Sequence, residues 1–127
     1  MEQVVYDSGA LIAIDRRTDL SLRRHQRRIT EGDHIMVPAP VAAQVIRDPG
    51  RQVRLMLTLQ SCDIVSFGQD DIGPVGKLLA LSGTSDVVDG FVAITAAGNG
   101  ATVVTSDPGD LTRLLDVIGV RVPILQA

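Results

Sequence analysis

Aspartates are concentrated around one segment of the sequence, TSDVVDGFVAITAAGNGATVVTSDPGDL (84–111), which has the most apolar helix-then-strand pattern in the chain. They are Asp86, Asp89, Asp107 and Asp110. A carboxylate beside buried surface is unfavourable unless another group pairs with it or a ligand binds to it. Oxygen-only ligands favour Mg²⁺ or Mn²⁺ over zinc, so these residues are candidates for a divalent-metal site.

The predicted secondary structure would bring several of these carboxylates to one place. Asp7 follows a first short strand, VVY, and Asp107 follows a later strand, ATVVT. In parallel α/β sheets, ligands bind at the carboxyl ends of the strands, so both residues are expected at the same edge. Asp86 and Asp89 are three residues apart at the start of a predicted helix and share one face of it. Four converging carboxylates would repel one another and raise a pKa unless a cation lies among them.

Some of these aspartates have an equally simple structural explanation. Asp86 could be the N-cap of its helix, or a first-turn acid that the helix dipole stabilises. For Asp110, three residues after Asp107 with a proline between them, a capping role is favoured. Asp107 could serve as that cap too, although its strand-end position favours a role in the site. Asp89 lies past the cap position on the packing face of its helix, where a buried acid needs a partner.

The pattern of strands and helices predicts the fold class. Short apolar runs are typical of strands (VVY, HIMVP, CDIVSF, ATVVT and a proline-containing edge strand VRVPIL), and helical patterns separate them. This alternation predicts a mostly parallel sheet of four to five strands covered by helices on both faces. A length of 127 residues suits a single domain, residues 1–127.

Composition excludes several classes of protein. The aromatic residues are only Tyr6, Phe67 and Phe91, too few for a base-stacking platform. The single cysteine, Cys62, excludes an internal disulfide framework. No apolar run approaches the ~20 residues that span a bilayer, and the start MEQVVYDSG is acidic. We therefore expect a cytoplasmic protein that does not enter a membrane.

Four motifs in register resemble PIN-domain proteins, specifically the VapC-type toxins of bacterial toxin-antitoxin pairs. The motifs are DSGALIAI after the first strand, VPAPVAAQVIR, DVVDGFVAITAA and VVTSDPGDLTRL. The resemblance covers essentially the whole chain in order and at similar spacing. It implies a three-layer α/β/α fold, a site for Mg²⁺ or Mn²⁺, endoribonuclease activity on tRNA, rRNA or mRNA, a cognate antitoxin as partner, and a homodimer.

The resemblance also implies roles for individual residues. Asp7 matches the first metal-binding acid of the family, Asp89 the helix-borne acid and Asp107 the acid after the fourth strand, with Asp86 as an additional member. The sequence departs from the family at Gln44, where many PIN proteins have a glutamate. An amide oxygen can ligate Mg²⁺ or hold its water but brings no negative charge.

Supporting and contact residues are also predicted. Thr105 and Ser106 are candidate hydroxyl donors to a phosphate or water, although structural roles are favoured for both. An arginine-rich segment is expected to contact the RNA backbone, receive an acidic antitoxin tail or remain a solvated helix face. Its members are Arg16, Arg17, Arg23, Arg24, Arg27 and Arg28, half of the Lys+Arg total of 12. His25 among them is expected at the surface.

Two other classes of protein fit the sequence less well. A phosphoacceptor receiver domain has similar length and layering, but the third predicted strand ends at Ser66-Phe67 without an acceptor aspartate, and the only lysine is Lys77. A nucleotide-cofactor protein is disfavoured because no P-loop or GxGxxG motif is present. The remaining alternative is a catalytically weakened PIN domain that binds RNA or its antitoxin without cleaving, which Gln44 favours.

Overall fold

The computed structural model describes residues 1–16 and 19–127. Its strands are β1 (Gln3–Tyr6), β2 (His34–Pro38), β3 (Asp63–Val65), β4 (Thr102–Thr105) and β5 (Ile124–Gln126). Its α-helices are α1 (Ser8–Arg16), α2 (Asp19–Thr30), α3 (Ala39–Val45), α4 (Val53–Gln60), α5 (Gln69–Ser82), α6 (Val87–Asn99) and α7 (Pro108–Ile118). A 3₁₀ turn, Pro49–Arg51, precedes α4.

The strands form one parallel sheet in the order β3-β2-β1-β4-β5. The central strand β1 pairs with β2 through Val4 and Ile35, and with β4 through Val5 and Val103. Helix α1 packs against α2, α3 and α4, while α5, α6 and α7 pack together, so two helical layers enclose the sheet. The predicted α/β/α architecture is confirmed, and the sheet has five strands.

The central strands are apolar on both faces because helices cover both sides of the sheet. Val5, Val37 and Val103 have no solvent exposure, and β-branched side chains suit such strands. Most of the buried apolar residues belong to one core cluster that includes Leu11, Leu55 and other helical residues. The sheet is thereby a rigid support for the loops at its carboxyl edge.

One boundary differs from the sequence prediction. The predicted edge strand VRVPIL is shortened to β5, which begins only after Pro123, whose carbonyl accepts a hydrogen bond from the Val103 amide at 2.9 Å. A proline cannot donate to a strand ladder, which explains why the regular pairing starts beyond it.

Within the described residues, no single helix is long and apolar enough to cross a membrane. Helices α5 and α6 together meet that length and composition, with a bend of 109° between them.

Candidate acidic active site

Asp7 lies at the carboxyl end of the central strand, as predicted. Its amide donates to the Val104 carbonyl at 3.0 Å, which continues the pairing with β4. One carboxylate oxygen, Oδ1, accepts the Ser8 amide at 2.7 Å, and the other, Oδ2, accepts the Thr105 hydroxyl at 2.9 Å. Each oxygen has a second lone pair. Asp7 is therefore held in one orientation with acceptor capacity left for a ligand.

Thr105 connects the two loops that carry Asp7 and Asp107. Its side chain is completely buried, and its hydroxyl accepts the Asp107 amide at 3.0 Å while donating to Asp7. A threonine hydroxyl has a single hydrogen, so in this arrangement Thr105 orients Asp7 and does not donate to a phosphate. Ser106 is exposed, and its carbonyl accepts a hydrogen bond from Gln126 at 3.3 Å.

Asp89 lies in the first turn of α6 and is half-buried. Burial, followed by the negative charges of Asp86 and Asp7, raises the pKa of Asp89 to about 7; the charge of Asp110 adds to the effect. Burial disfavours an ionised carboxyl group, and like charges nearby disfavour it further. The structure therefore places Asp89 in a locally negative environment that a cation would relieve.

Asp86 and Asp107 both cap helices. The Asp86 carboxylate accepts the Asp89 amide at 3.0 Å at the start of α6, and Asp107 accepts the Asp110 amide at 3.4 Å at the start of α7. The prediction that Asp110 caps α7 is wrong. Asp107 is the N-cap residue, because it directly precedes Pro108, the first residue of the helix. Asp107 therefore combines a capping bond with a position in the site.

The acidic cleft is a small depression lined by Asp7, Asp89, Asp107, Asp110 and Leu111. Asp110, for which the sequence favoured a capping role alone, lines this cleft and also forms an ion pair with Arg113 at 3.4 Å. Its position three residues after Asp107 was the signal that could have placed it there, since residues three apart share a helical face.

Besides Thr105 and Ser106, two residues predicted as candidate metal ligands do not line the acidic cleft. Asp86 is exposed and acts on Asp89 through its charge. Gln44 is also exposed and lies in a different groove, beside Asp15, Arg47 and Gln52. The side chains of Asp86 and Gln44 are exposed to solvent and are not part of the cleft lining. Their roles as metal ligands remain predictions.

The donor set of the acidic cleft fits a hard divalent cation. All of its polar lining groups are carboxylates, and their mutual repulsion is uncompensated at Asp89. Among the residues that the structure describes, no group of three or more acidic, histidine or cysteine side chains is close enough to hold a metal ion. Mg²⁺ is commonly bound by only one or two carboxylates together with water and substrate phosphates, and Asp7 and Asp89 are groups of that chemical type.

A second polar cluster, the Tyr6–His25 network, begins at Tyr6, the residue before Asp7, and includes His25, Arg28 and Ser61. The Ser61 hydroxyl donates to the Thr58 carbonyl at 2.6 Å, so it must accept the Nε2 hydrogen of His25 at 2.8 Å. The other ring nitrogen, Nδ1, then accepts the Tyr6 hydroxyl at 2.8 Å, and the Tyr6 oxygen accepts Arg28 at 3.0 Å. Each side chain therefore has a defined partner.

The expectation that His25 lies at the surface is wrong. Its side chain is 3% exposed because His25 shares a helical face with Leu22 and Ile29 and turns toward β1. Burial, followed by the positive charge of Arg28, lowers the pKa of His25 to about 4, and burial raises the pKa of Tyr6 to about 12. Both groups are neutral at physiological pH.

The predicted contact arginines divide into different environments. Arg28 is half-buried against the Tyr6 ring, with its guanidinium 5.6 Å from the ring centre. Arg23, Arg24 and Arg27 are exposed on α2, and we call them the basic face. Arg16 ends α1, and Arg17 lies outside the described residues.

Comparison with known proteins places the fold. No protein-family model and no curated protein matches the chain. Solved structures do match. VapBC2 from Rickettsia felis bound to a promoter DNA fragment matches with a TM-score of 0.70 and 16% identity, over 98% of both chains. FitAB bound to the IR36 DNA fragment matches with TM-score 0.66 and 16% identity, over 97% of this chain and 94% of that one. PAE2754 from Pyrobaculum aerophilum matches with TM-score 0.62 and 15% identity, over 94% and 98%. The PIN-like fold is thereby confirmed.

Proposed function

We propose that this PIN-fold protein is a divalent-metal-dependent endoribonuclease that acts as the toxin of a toxin-antitoxin pair. The observation that carries the proposal is the acidic cleft at the carboxyl edge of the sheet, where Asp7 is oriented by two hydrogen bonds and Asp89 has a pKa raised to about 7. Groups with strongly perturbed pKa values in a cleft are candidates for a functional site. The fold shared with VapBC2 and FitAB supports the same class of protein.

The residues divide the chemical work. Asp7 and Asp89 would hold Mg²⁺ or Mn²⁺, with Asp107 and Asp110 adding negative charge at the rim. When bound, such an ion activates water for attack and neutralises charge on the phosphate. Thr105 orients the Asp7 carboxylate at the end of the buried strand β1, and the first turn of α6 positions Asp89.

Cleavage of RNA tests this proposal directly. The purified protein would be incubated with total cellular RNA and with Mg²⁺ or Mn²⁺ across a concentration series, with excess chelator as the control. Discrete fragments that require the divalent ion and disappear with chelator are expected. Their absence under every metal condition would contradict the nuclease assignment and favour the alternative below.

The proposed partner is a small antitoxin encoded beside this protein. An apolar groove between α2 and α4 adjoins the basic face; Leu22, Ile29 and Leu57 line it together with Arg54. Leu57 (60% exposed) and Ile29 (39% exposed) lie together in this groove, and contiguous exposed apolar surface is a feature of protein interaction sites. A partner segment with apolar residues for the groove and acidic residues for the arginines would suit this surface.

Growth and binding assays test the partner. The protein expressed alone should slow growth, and co-expression of the adjacent small protein should restore it.

Reversal of the charge of the basic face (Arg23→Glu, Arg24→Glu and Arg27→Glu) should weaken RNA or antitoxin binding. Arg28 is kept because it belongs to the Tyr6–His25 network. If RNA is the ligand, the salt dependence should fall by roughly one unit of slope for each phosphate that the protein no longer neutralises. Unchanged binding of RNA and of the antitoxin would show that the basic face is only a solvent-exposed surface.

A second candidate is a PIN domain that binds RNA or its antitoxin without cleaving. It is favoured by Gln44, which brings no charge and lies outside the acidic cleft, and by the lack of a three-ligand group among the described residues. In that case the purified protein would bind RNA with the same affinity in Mg²⁺ and in chelator, and no fragments would form.

A further inference from the structure

Arg113 brings positive charge to the rim of the acidic cleft. It lies on α7, three residues after Asp110, and its Nη2 atom is 3.4 Å from Asp110 Oδ1. Asp110 lines the cleft together with Asp7 and Asp89. The side chain of Arg113 is 68% exposed. Its guanidinium group is therefore paired with a carboxylate of the cleft and is still accessible to a molecule that approaches from solvent.

The carboxylates of the acidic cleft repel the substrate of the proposed nuclease, because RNA is a polyanion. A divalent ion at Asp7 and Asp89 would offset part of this negative charge, but Asp107 and Asp110 also line the cleft. Proteins hold nucleic-acid phosphates chiefly with Arg and Lys side chains and with polar groups such as backbone N–H. A cation beside Asp110 therefore lowers the repulsion at the place where RNA has to approach.

Arginines elsewhere in the structure have a different location. The basic face lies on α2, which packs against α1, whereas Arg113 lies on α7, which packs against α5 and α6 in the other helical layer. Three further ion pairs join arginines to acids that do not line the acidic cleft. One of them, Arg51–Asp48, closely resembles Arg113–Asp110, with residues three apart and a separation of 3.5 Å. The two pairs differ mainly in where they lie.

A contribution to folding does not explain the ion pair of Arg113. Exposed ion pairs are screened by water and salt and add little to stability. A guanidinium group presents several N–H donors in a planar fork that matches the oxygens of a phosphate. The contact with Asp110 involves one end of this fork, Nη2. The chemistry of Arg113 therefore suits a phosphate ligand at the rim.

We propose that Arg113 is a substrate-binding residue that holds a backbone phosphate of the RNA beside the one that is cleaved, an inference that rests on the proposed nuclease function. Arg113 follows Asp110 by about 4.5 Å along the axis of α7, at about 1.5 Å per residue, so its phosphate lies outside the cleft. The ion pair holds the guanidinium group at the rim before RNA arrives, which reduces the entropy lost on binding. Arg113 should therefore act on RNA affinity and not on the chemical step.

The test is steady-state cleavage, in Mg²⁺, of a short synthetic RNA that contains a site first mapped in total RNA. The full-length parent is compared with Arg113→Gln, with Arg113→Lys, which keeps the charge but not the planar fork, and with Arg51→Gln, which breaks the matched ion pair. Arg113→Gln should raise KM at least about 5-fold, with kcat and the Mg²⁺ concentration for half-maximal rate within about 2-fold of the parent. Arg113→Lys should raise KM less, and Arg51→Gln should match the parent. For Arg113→Gln, the slope of log KM against log salt should fall by about 0.7, the value for one phosphate contact on a single strand.

The outcomes separate the role of Arg113 from the proposed function. A parent-like KM in Arg113→Gln, or an equal rise of KM in Arg51→Gln, would overturn the role of Arg113 and leave the nuclease function intact. A lower kcat with a changed Mg²⁺ requirement and a parent-like KM would show that Arg113 acts on the charge of Asp110 and not on RNA, which also overturns the inference. A parent protein that cleaves no RNA with Mg²⁺ or Mn²⁺ would overturn the proposed function, and the role of Arg113 with it.

Discussion

Tyr6 and Asp7 are adjacent in the chain but belong to regions of opposite electrostatic character. In the Tyr6–His25 network, the hydroxyl of Tyr6 donates to His25 and accepts from Arg28, and the ring of His25 is satisfied at both nitrogens. In the acidic cleft, four carboxylates line a small depression, and burial followed by the charges of Asp86 and Asp7 raises the pKa of Asp89 to about 7. One region satisfies its polar groups internally, whereas the other retains negative charge.

This contrast indicates what each region contributes. A satisfied buried network fixes the relative positions of β1, α2 and the end of α4, because removal of any member leaves another without a partner. A cluster of like charges instead lowers stability unless a ligand binds, which makes the acidic cleft a candidate functional site. Substitutions in the two regions should therefore have opposite effects on stability.

The largest expected effect is on catalysis in the acidic cleft. Asp7→Asn and Asp89→Asn should each reduce divalent-dependent RNA cleavage by at least about 100-fold, since removal of one preorganised electrostatic group commonly has that effect. Rates would be measured on a defined RNA at saturating Mg²⁺. Asp116→Asn, which neutralises an exposed aspartate on α7 outside the cleft, is the control and should cleave normally. Normal cleavage by both cleft variants would place the active site elsewhere.

The next effect is on the stability of the buried network. His25→Ala should lower the free energy of unfolding by about 2–4 kcal/mol, because it leaves the Tyr6 hydroxyl hydrogen without an acceptor and creates a cavity. Chemical denaturation at pH 7 measures this. His34→Ala removes a partly exposed histidine at the start of β2 and should have an effect below about 1 kcal/mol. Equal effects of both substitutions would contradict the distinction between the two histidines.

A third prediction uses pH to separate the regions. The pKa of Asp89 is raised in the folded state, so its favourable contribution is complete below about pH 4 and is lost as the pH rises through about 7. The pKa of His25 is lowered to about 4, so its contribution has the opposite slope and stability falls as the pH drops from 6.5 toward 4. The two slopes partly cancel in the parent protein.

In Asp89→Asn, the pH dependence of the free energy of unfolding should be the one that His25 contributes. Without metal, the variant should be more stable than the parent by about 1–3 kcal/mol at pH 8, a range reduced for the partial exposure of Asp89, and the difference should vanish below pH 4. Denaturation curves at pH 4, 6 and 8 measure this. A stability difference that is the same at all three values would show that Asp89 does not titrate abnormally.

The smallest effect is expected at Gln44. Because its side chain is exposed outside the acidic cleft, Gln44→Glu should change the free energy of unfolding by less than about 0.5 kcal/mol, with an unchanged response to Mg²⁺. Thermal melts across a metal titration measure both quantities. A variant that starts less stable and gains more on addition of metal would instead bring Gln44 into the site, at the position of the family's glutamate.

The fold class could be predicted because the alternation of strands and helices, and the points where the strands end, follow from local patterns. Asp7 and Asp107 are recognisable by their positions directly after apolar strands, and Asp89 by its unfavourable place on a packing face. Which aspartate caps α7 could not be predicted, since Asp107 and Asp110 offer alternative capping geometries that only the backbone resolves. Gln44 was placed by motif register alone, which does not determine the direction of a side chain on α3.

The buried histidine was missed for a different reason. His25 stands among arginines, and composition alone predicts a solvated face. The spacing of Leu22, His25 and Ile29 nevertheless fits one helical face, and Tyr6 in a buried strand requires a hydrogen-bond partner. These two signals together would have indicated the pairing, but they are 19 residues apart and neither is sufficient alone.

The bond between Thr105 and Asp7 joins residues that are 98 positions apart, and this has a consequence for the order of events during synthesis. Chains emerge from the ribosome N-terminus first, and contacts of long sequence separation form only after the entropy of closing the loop has been overcome. Asp7 is made early, yet it acquires its orientation only after β4 has been made and has docked beside β1. The acidic cleft of a nascent chain would therefore stay unassembled until nearly all of the sequence had been translated.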